Sequence, residues 1–449
     1  MFCVKILKTE RGSCMLKACI YTLGCRVNQY ESDAIAKELK EHGVTIVNSN
    51  EPCDICIINT CSVTSESDRK SKQIIRRLIK KNPDAVVIVT GCYSQINTQN
   101  ALNIKGVSLV CGNNDKSKIA KRALELVNNR SCNCELIESD IYSGRFDTMS
   151  AGAPLSRTRG FIKIQDGCNS KCAYCIIPYA RGSVRSDTRE NILCEANKIV
   201  NEGCLEIVLT GIETAAYGKD LKNGYSLGDL LKEVNEIDGL KRIRLGSLDP
   251  SAITKDFVDK IKCLDKVMPH FHISMQSGCT KTLNEMKRKY NIDMARKNIG
   301  YLKECIPNLM LSADVITGFP NENDEDFSQT LDFFKNEKFL HLHIFPYSKR
   351  DGTPAATMSN QVPEEIKKAR LHALENQQKE IKRELLENFV KSTSFVEVLF
   401  ESFDGGFILG HTPNFIEVKV KSDVSRGNQI LKVKPNGTDG EYVFGELIE

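Results

Sequence analysis

Three cysteines in the run Gln165-Asp166-Gly167-Cys168-Asn169-Ser170-Lys171-Cys172-Ala173-Tyr174-Cys175 stand at Cys-x3-Cys-x2-Cys spacing. Thiolates so placed can wrap one loop around three irons of a 4Fe-4S cube and leave the fourth iron open to a substrate or cofactor. Zinc, the competing metal, normally closes its site with four ligands. A second set, Cys25, Cys61 and Cys92, is spread along the chain, but each member follows an apolar, β-branched run by one or two residues. In an open parallel sheet the carboxyl ends of strands share one edge, where ligands bind. The three thiols can therefore converge on a second cluster. Taken singly, each also reads as a small apolar residue under a turn.

The elements that must carry these cysteines follow from periodicity. Runs at Ala18–Thr22, Ile55–Asn59, Val86–Thr90 and Val107–Val110 alternate with polar segments of helical period, the pattern of an open parallel α/β sheet over residues 15–128. Residues 129–158, rich in Ser, Asn, Cys and Arg, read as a linker. Six further runs, at Phe161–Ile164, Glu206–Thr210, Arg242–Gly246, His270–Met275, Ser312–Ile316 and His341–Phe345, predict a complete or partial six-unit β/α barrel over 159–385. Pro363 to Asn388 reads as one long helix opened by proline and two acids. Residues 386–449 alternate in short runs with Gly, Asn-Gly and Asp-Gly turns, which predicts a small all-β barrel. The fold class is α/β with that β-barrel appended.

Composition narrows the function classes. The 449 residues exceed what one core usually serves. With 62 basic and 58 acidic residues the net charge is only +4, so affinity for a polyanion must come from local patches. The first twenty residues carry Lys5, Lys8, Glu10, Arg11 and Lys17 without an apolar core, so neither an export signal nor a membrane span is expected. Nineteen cysteines without such a signal fit ligands and buried thiols in a reducing cytoplasm better than disulfides.

The segments YTLGCRVNQYES (21–32), INTCSVTSESDRKS (58–71), GCYSQ (91–95), IQDGCNSKCAYCIIPYARG (164–182), LTGIETAAYG (209–218), HFHISMQSGCTKTLNEMKRKY (270–290), DVITGFPNENDEDF (314–327) and HIFPYSKRDGTPA (343–355) span nearly the whole chain. Through them the sequence resembles the radical S-adenosylmethionine methylthiotransferases, most closely the branch that acts on threonylcarbamoyladenosine in tRNA. The resemblance implies a methylthiotransferase domain with an auxiliary 4Fe-4S cluster on Cys25, Cys61 and Cys92. It implies a radical SAM barrel with the catalytic cluster on Cys168, Cys172 and Cys175, and a C-terminal TRAM domain. One S-adenosylmethionine would methylate a cluster-bound sulfur, and a second would give the 5'-deoxyadenosyl radical that takes the C2 hydrogen of the modified adenosine next to the anticodon. An electron donor such as flavodoxin or ferredoxin and a sulfur source are implied as partners of the anticodon stem-loop. The resemblance begins near Met15, which leaves Met1 and Met15 both open as starts.

Cofactor contacts are expected from Tyr174, between two cluster cysteines, and from Gly211 and Glu213 after the second barrel strand, where relatives often carry Asn in place of Glu213. Ser247, Asp249 and Gln276 stand at carboxyl ends of barrel strands, although each can instead cap the next helix. Gly318 resembles the glycine that lets backbone approach an adenine, or serves an ordinary turn. His341 and His343 share a strand face, but with no third ligand nearby they read as strand histidines.

For RNA, Arg69, Lys70, Lys72, Arg76, Arg77, Lys80 and Lys81 give seven cations in thirteen residues without an acid, just after the Cys61 loop. Such a run is also the mark of a solvated face. In the C-terminal domain, with six basic and ten acidic residues, Lys419 with Lys421 and Lys432 with Lys434 fall on common strand faces. The threonylcarbamoyl carboxylate calls for a cation, for which Arg181, Arg185 and Arg350 are candidates. Isopentenyladenosine in tRNA, an aspartate of a ribosomal protein, or a plain iron-sulfur carrier role are the competing functions.

Overall fold

A cysteine set that must meet at one edge needs strands of similar length in parallel, and the β-branched runs supply them. In the computed structural model, which describes residues 15–129, 133–138, 140–153 and 158–448, the strands β1 (Lys17–Thr22), β2 (Thr45–Val47), β3 (Ile55–Thr60), β4 (Val86–Gly91), β5 (Leu109–Cys111) and β6 (Glu135–Ile137) form one sheet in the order β2-β1-β3-β4-β5-β6. Every pairing in it is parallel. β3 and β4 are buried along their whole length, as strands covered on both faces must be. On one face lie α1 (Arg26–Glu41) and α5 (Ile119–Asn128), over a core of Ile35, Leu39, Ile57, Ile88, Ala120 and Ala123. The other face packs under α2 (Ser65–Lys81), α3 (Cys92–Ile96) and α4 (Thr98–Leu102) through Ile75, Leu78, Val87, Val89, Tyr93 and Ala101.

Two of these strands were not expected. β2 is only three residues of half-exposed edge, too short to show period two. β6 corrects the linker reading of 129–158: Glu135–Ile137 pair with β5 and extend the sheet, in a stretch whose polar flanks hid three strand residues. This first compact unit runs to Gly152 and includes Ile176–Ser183, with α6 at Ile177–Arg181.

The second unit comprises Ala153–Cys175 and Val184–Glu449. Its six long strands, β7 (Arg159–Lys163), β10 (Glu206–Thr210), β11 (Arg242–Leu245), β12 (His270–Gln276), β13 (Met310–Thr317) and β14 (His341–Pro346), form two parallel three-stranded sheets, β11-β10-β7 and β12-β13-β14. Single bridges at Ile243–Val267 and Leu248–Ile273 span the gap between them. The short strands β8 (Gln165–Asp166) and β9 (Arg185–Ser186) flank the cysteine loop as an antiparallel pair. The predicted barrel is thus partial, with its core in Ile162, Ile207, Ile243, Phe271, Ile273, Leu311 and Val315.

The predicted long helix is Glu364–Ser392, four residues longer at its end than the sequence pattern indicated. The last five strands, β15 (Val396–Asp404), β16 (Phe407–His411), β17 (Glu417–Lys421), β18 (Gln429–Thr438) and β19 (Val443–Leu447), close a barrel in the order β15-β16-β17-β19-β18. This small barrel is fixed to the amino ends of the larger one. Arg242 donates to the carbonyls of His411 and Glu397 at 2.9 and 3.0 Å, and Arg244 to those of Pro413 and Thr412 at 3.0 and 2.9 Å. Glu206, fully buried, takes Arg159 and Arg244 as ion partners. Burial pushes its carboxyl up, but Arg244, Arg159 and Arg242 together hold it below the usual carboxylate range. Phe415 stacks on His270 and meets His411 at a tilt, with the guanidinium groups of Arg159 and Arg244 at 5.0 and 4.8 Å from its ring. Among the described residues no helix is long and apolar enough to cross a membrane.

Candidate iron-sulfur and cofactor sites

In the first unit the three separated cysteines occupy equivalent stations. Cys25 stands just before α1 after β1, Cys61 follows β3, and Cys92 opens α3 directly after β4. Gly24, at φ +99°, brings its backbone against the second of them: a Cβ there would lie 2.9 Å from the Cys61 Cβ and 3.0 Å from its Sγ. Glycine is needed both for that angle and for that approach. Cys61 and Cys92 are buried whereas Cys25 is exposed. Burial, followed by the neighbouring Cys92, pushes the Cys61 thiol up to about 11. The Asn113 amide donates to Cys92 Sγ at 3.4 Å, the kind of contact that tunes a cluster thiolate.

Beneath this edge lies a buried charge network that the cysteine pattern did not announce. Glu31, on α1, accepts from Arg181 at 2.6 Å and forms an ion pair with Lys116; all three side chains are fully buried. Asn28 joins them, donating to the carbonyls of Leu23 and Thr60 at 2.8 and 2.9 Å and so tying the Cys25 loop to the end of β3. Two cations against one carboxylate leave a net positive charge beside thiols that must ionise to hold metal. This corrects the reading of Arg181 as a cation for substrate: it is fully buried inside the first unit, with its terminal nitrogens on Glu31 and Asn28. Asn28 and Glu31 lie in the segment that follows Cys25, but nothing local ties them to Lys116 or Arg181.

In the second unit Cys168, Cys172 and Cys175 share one loop after β8. The Gln165 amide holds its start, donating to the carbonyls of Asp166 and Gly167 at 2.6 and 2.7 Å, and its oxygen accepts from Glu213 N at 2.8 Å. A Cβ on Gly211 would strike that same Gln165 oxygen at 2.7 Å, so Gly211 serves the loop. The Cys168 thiol donates to Glu213 at 3.0 Å, and burial followed by that carboxylate pushes it up to about 12. Arg288 donates to Cys172 Sγ at 3.1 Å and to Asp249 at 2.5 Å. It was missed, although it stands in the quoted EMKRKY segment, because a cation that reaches a thiol from another strand connection leaves no local spacing.

The remaining expected residues divide. Tyr174 meets Phe319 edge-on at 6.3 Å in a small apolar cluster with Met286 and Tyr347. Asp249 does cap the following turn, accepting from Ser251 N at 2.8 Å, while its other oxygen receives Arg288. Ser247 is half-buried at the same edge. Gln276 ends β12 beyond a register irregularity, buried and at φ +64°. Gly318, at φ +70°, gives a different reason for being glycine than adenine contact: a Cβ would strike Lys367 on the long helix. Arg185 and Arg350 are both buried, the former 3.7 Å from Asp166. Of the strand histidines, His341 is half-buried and stacks on His343 at 6.2 Å.

On α2 the seven cations are exposed. Arg69 is bonded to Glu66 at 2.6 Å and Lys70 lies 3.9 Å from the same acid, whereas Lys72 and Arg76 line a cavity of about 410 Å³ with Tyr93, Asn100, Asn103 and Lys105. Arg77 lies 5.4 Å over the Tyr21 ring. On the small barrel Lys421, Lys432 and Lys434 are exposed, and Lys419 sits 3.3 Å over the Tyr442 ring.

Known proteins are similar to this chain over nearly its whole length. Residues 17–112 match the family described as Uncharacterized protein family UPF0004, and residues 162–334 match the Radical SAM superfamily. Threonylcarbamoyladenosine tRNA methylthiotransferase MtaB of Bacillus subtilis is 38% identical over 444 residues, covering 97% of each chain. The chain belongs to the radical S-adenosylmethionine methylthiotransferases. The protein of the same name from Aquifex aeolicus is 36% identical, over 90% of this chain and 96% of its own. A tRNA-2-methylthio-N(6)-dimethylallyladenosine synthase of Acetivibrio thermocellus, from the family's other tRNA branch, is 32% identical over 96% of this chain and 90% of its own. In fold, the methylthiotransferase chain resembles the radical S-adenosylmethionine methyltransferase TsrM of Kitasatospora setae, with TM-score 0.56 at 13% identity, covering 76% of this chain and 77% of that one. Membership brings a 4Fe-4S cluster and S-adenosylmethionine. Three thiols on one loop, with a cation on one and a carboxylate beside another, fit that pair.

Proposed function

We propose that this enzyme places a methylthio group on C2 of N6-threonylcarbamoyladenosine beside the tRNA anticodon, at position 37. The observation that carries the reading is a second cysteine set, Cys25, Cys61 and Cys92, set next to the basic helix α2 in a chain alike from end to end to the threonylcarbamoyladenosine enzymes.

Cys168, Cys172 and Cys175 would hold the catalytic cluster, and Cys25, Cys61 and Cys92 a second 4Fe-4S cluster at which sulfur is delivered. With S-adenosylmethionine, the catalytic cluster supplies a 5'-deoxyadenosyl radical, which can remove a C2 hydrogen that no tuned acid or base can extract. Glu213 has a defined part in this. With Cys168 holding iron as a thiolate, the carboxylate that now accepts from its thiol would be free to accept from the ammonium of S-adenosylmethionine. Arg288, which donates to Cys172 Sγ and to Asp249, would balance the charge of a cluster-bound Cys172. On the first unit, Lys72, Arg76 and Arg77 would take backbone phosphates and so set the register of the base. An electron donor such as flavodoxin or ferredoxin, and a sulfur source, complete the requirements.

The test separates the two cysteine sets. Cys168→Ala should abolish formation of 5'-deoxyadenosine, whereas Cys25→Ala should keep it and lose methylthiolation of tRNA bearing threonylcarbamoyladenosine. Normal product from Cys25→Ala would overturn the assignment. Product only on tRNA bearing the dimethylallyl base would move the enzyme to the other branch.

A further inference from the structure

A third group of cysteines lies in the first unit, outside both sets. Cys19 on β1 and Cys56 on β3 are register partners in a parallel pairing, so their side chains emerge on the same face. Their sulfurs are 3.3 Å apart, and Cys53, two residues before β3, sends its sulfur to 3.4 Å from that of Cys19. All three sulfurs lie within 4.8 Å of one another, and among the described residues no histidine, aspartate or glutamate joins them. Cys19 and Cys56 are fully buried, while Cys53 is half-buried at the rim. Cys56 precedes Cys61 by five residues, roughly 16 Å along the strand direction at about 3.3 Å per residue, so this group stands apart from the carboxyl edge.

The surroundings are apolar on the inner side, with Leu78, Ile74, Val47 and Ala85 in the same cluster. The rim is anchored by Cys53 N donating to Asn82 Oδ1 at 3.2 Å. Lys81, whose ammonium donates to the Ser49 carbonyl at 3.2 Å, is close enough to act electrostatically on Cys19 and Cys53.

We propose that Cys19, Cys53 and Cys56 form a binding site for one soft monovalent metal ion, copper(I), separate from the iron-sulfur sites. Sulfur-only ligation selects soft ions, whereas zinc in a closed site wants four ligands. Three sulfurs at about 2.3 Å from one ion lie roughly 3.8–4.0 Å apart, so closing the site takes a shift of about half an ångström from the separations present. On binding, three thiols release three protons and form three copper–sulfur bonds, and the ion remains copper(I) throughout. The complex then carries two negative charges, and Lys81 offsets one.

The experiment uses the full chain, prepared without oxygen and loaded with iron and sulfide. It is equilibrated with copper(I) buffered by bicinchoninate, desalted, and assayed for copper and iron, with X-ray absorption at the copper edge. Wild type should keep one copper per chain with its iron unchanged and show three sulfur neighbours without oxygen or nitrogen. Cys53→Ser, at the half-buried rim where folding is least at risk, should weaken retention at least tenfold. The exposed-cysteine control Cys194→Ser should not. Equal retention by Cys53→Ser, copper uptake matched by iron loss, a disulfide among the three in the reduced protein, or tighter binding of zinc alone with an oxygen neighbour would each overturn the proposal.

Discussion

Replacing Glu31 by glutamine tests whether the buried charge network supports the auxiliary site. The substitution keeps the shape and one acceptor but leaves Lys116 and Arg181 without their anion, both fully buried. At about 4 Å between charge centres and an effective dielectric of ~20, each lost attraction is worth about 4 kcal/mol. Mutual repulsion of the two cations already offsets part of this in the native protein. Lys116 can also shed its proton, because burial holds its ammonium below the ordinary lysine value even with Glu31 present. The net loss should therefore fall at about 3–5 kcal/mol, the range for breaking a buried ion pair. At roughly 2–4 °C per kcal/mol for a unit of this size, the first unit should melt about 6–20 °C lower. Differential scanning calorimetry of the whole chain, with hydrogen exchange on peptides from α1, isolates the transition that matters. Iron should also fall from about eight to about four per chain, because α1, which begins at Cys25, loses the ion pairs that anchor it. Glu38→Gln, half-buried on the same helix, serves as the control. A Glu31→Gln protein that melts within 2 °C of wild type and keeps all its iron would refute the reasoning.

Three other outcomes follow from the geometry. Gly24→Ala meets both a disfavoured φ of +99° and the Cys61 side chain; it should cost about 1–3 kcal/mol and lower auxiliary iron while leaving 5'-deoxyadenosine formation intact, as iron and product analysis would show. The pair Arg76→Gln and Arg77→Gln should weaken tRNA binding and flatten the slope of log affinity against log salt by about 1.8, measured by filter binding across salt concentrations. His341 is held down to about 4 from 6.5, by burial first and then by Lys382 and neighbouring histidines. Its folded value lies below its unfolded value, so the unfolded chain binds more protons between the two. The second unit should accordingly lose about 2–3 kcal/mol as pH falls from 6.5 to 4, and urea titrations of His341→Phe should lack that part of the decline.

The sequence exposed most of the scaffold because the strands that build it are long and β-branched, as in Ile55–Thr60 and Val86–Gly91. It missed Thr45–Val47 and Glu135–Ile137, edge strands of three residues whose pairing is decided by the neighbouring strand and not by their own pattern. The cysteine loop after β8 was readable from spacing alone. Glu31, Lys116 and Arg181 were not, since their partnership spans 85 and 150 residues and leaves no local period. Asp249 shows the middle case: the capping role was foreseen, but its second oxygen and Arg288 meet only through the fold.

The bolting of the small barrel through Phe415 and Arg244 has a consequence for the length of any nucleic acid it helps to hold. Its anchor residues Arg159, Glu206, Arg242 and His270 each begin a barrel strand, whereas Gly211, Glu213 and Asp249 come after the ends of β10 and β11. A strand of five residues separates those levels by roughly 17 Å. The appended barrel is thus a fixed foot beneath the reaction chamber and not a swinging arm. A lone nucleoside can touch one level only, and an RNA stem is long enough to bridge both.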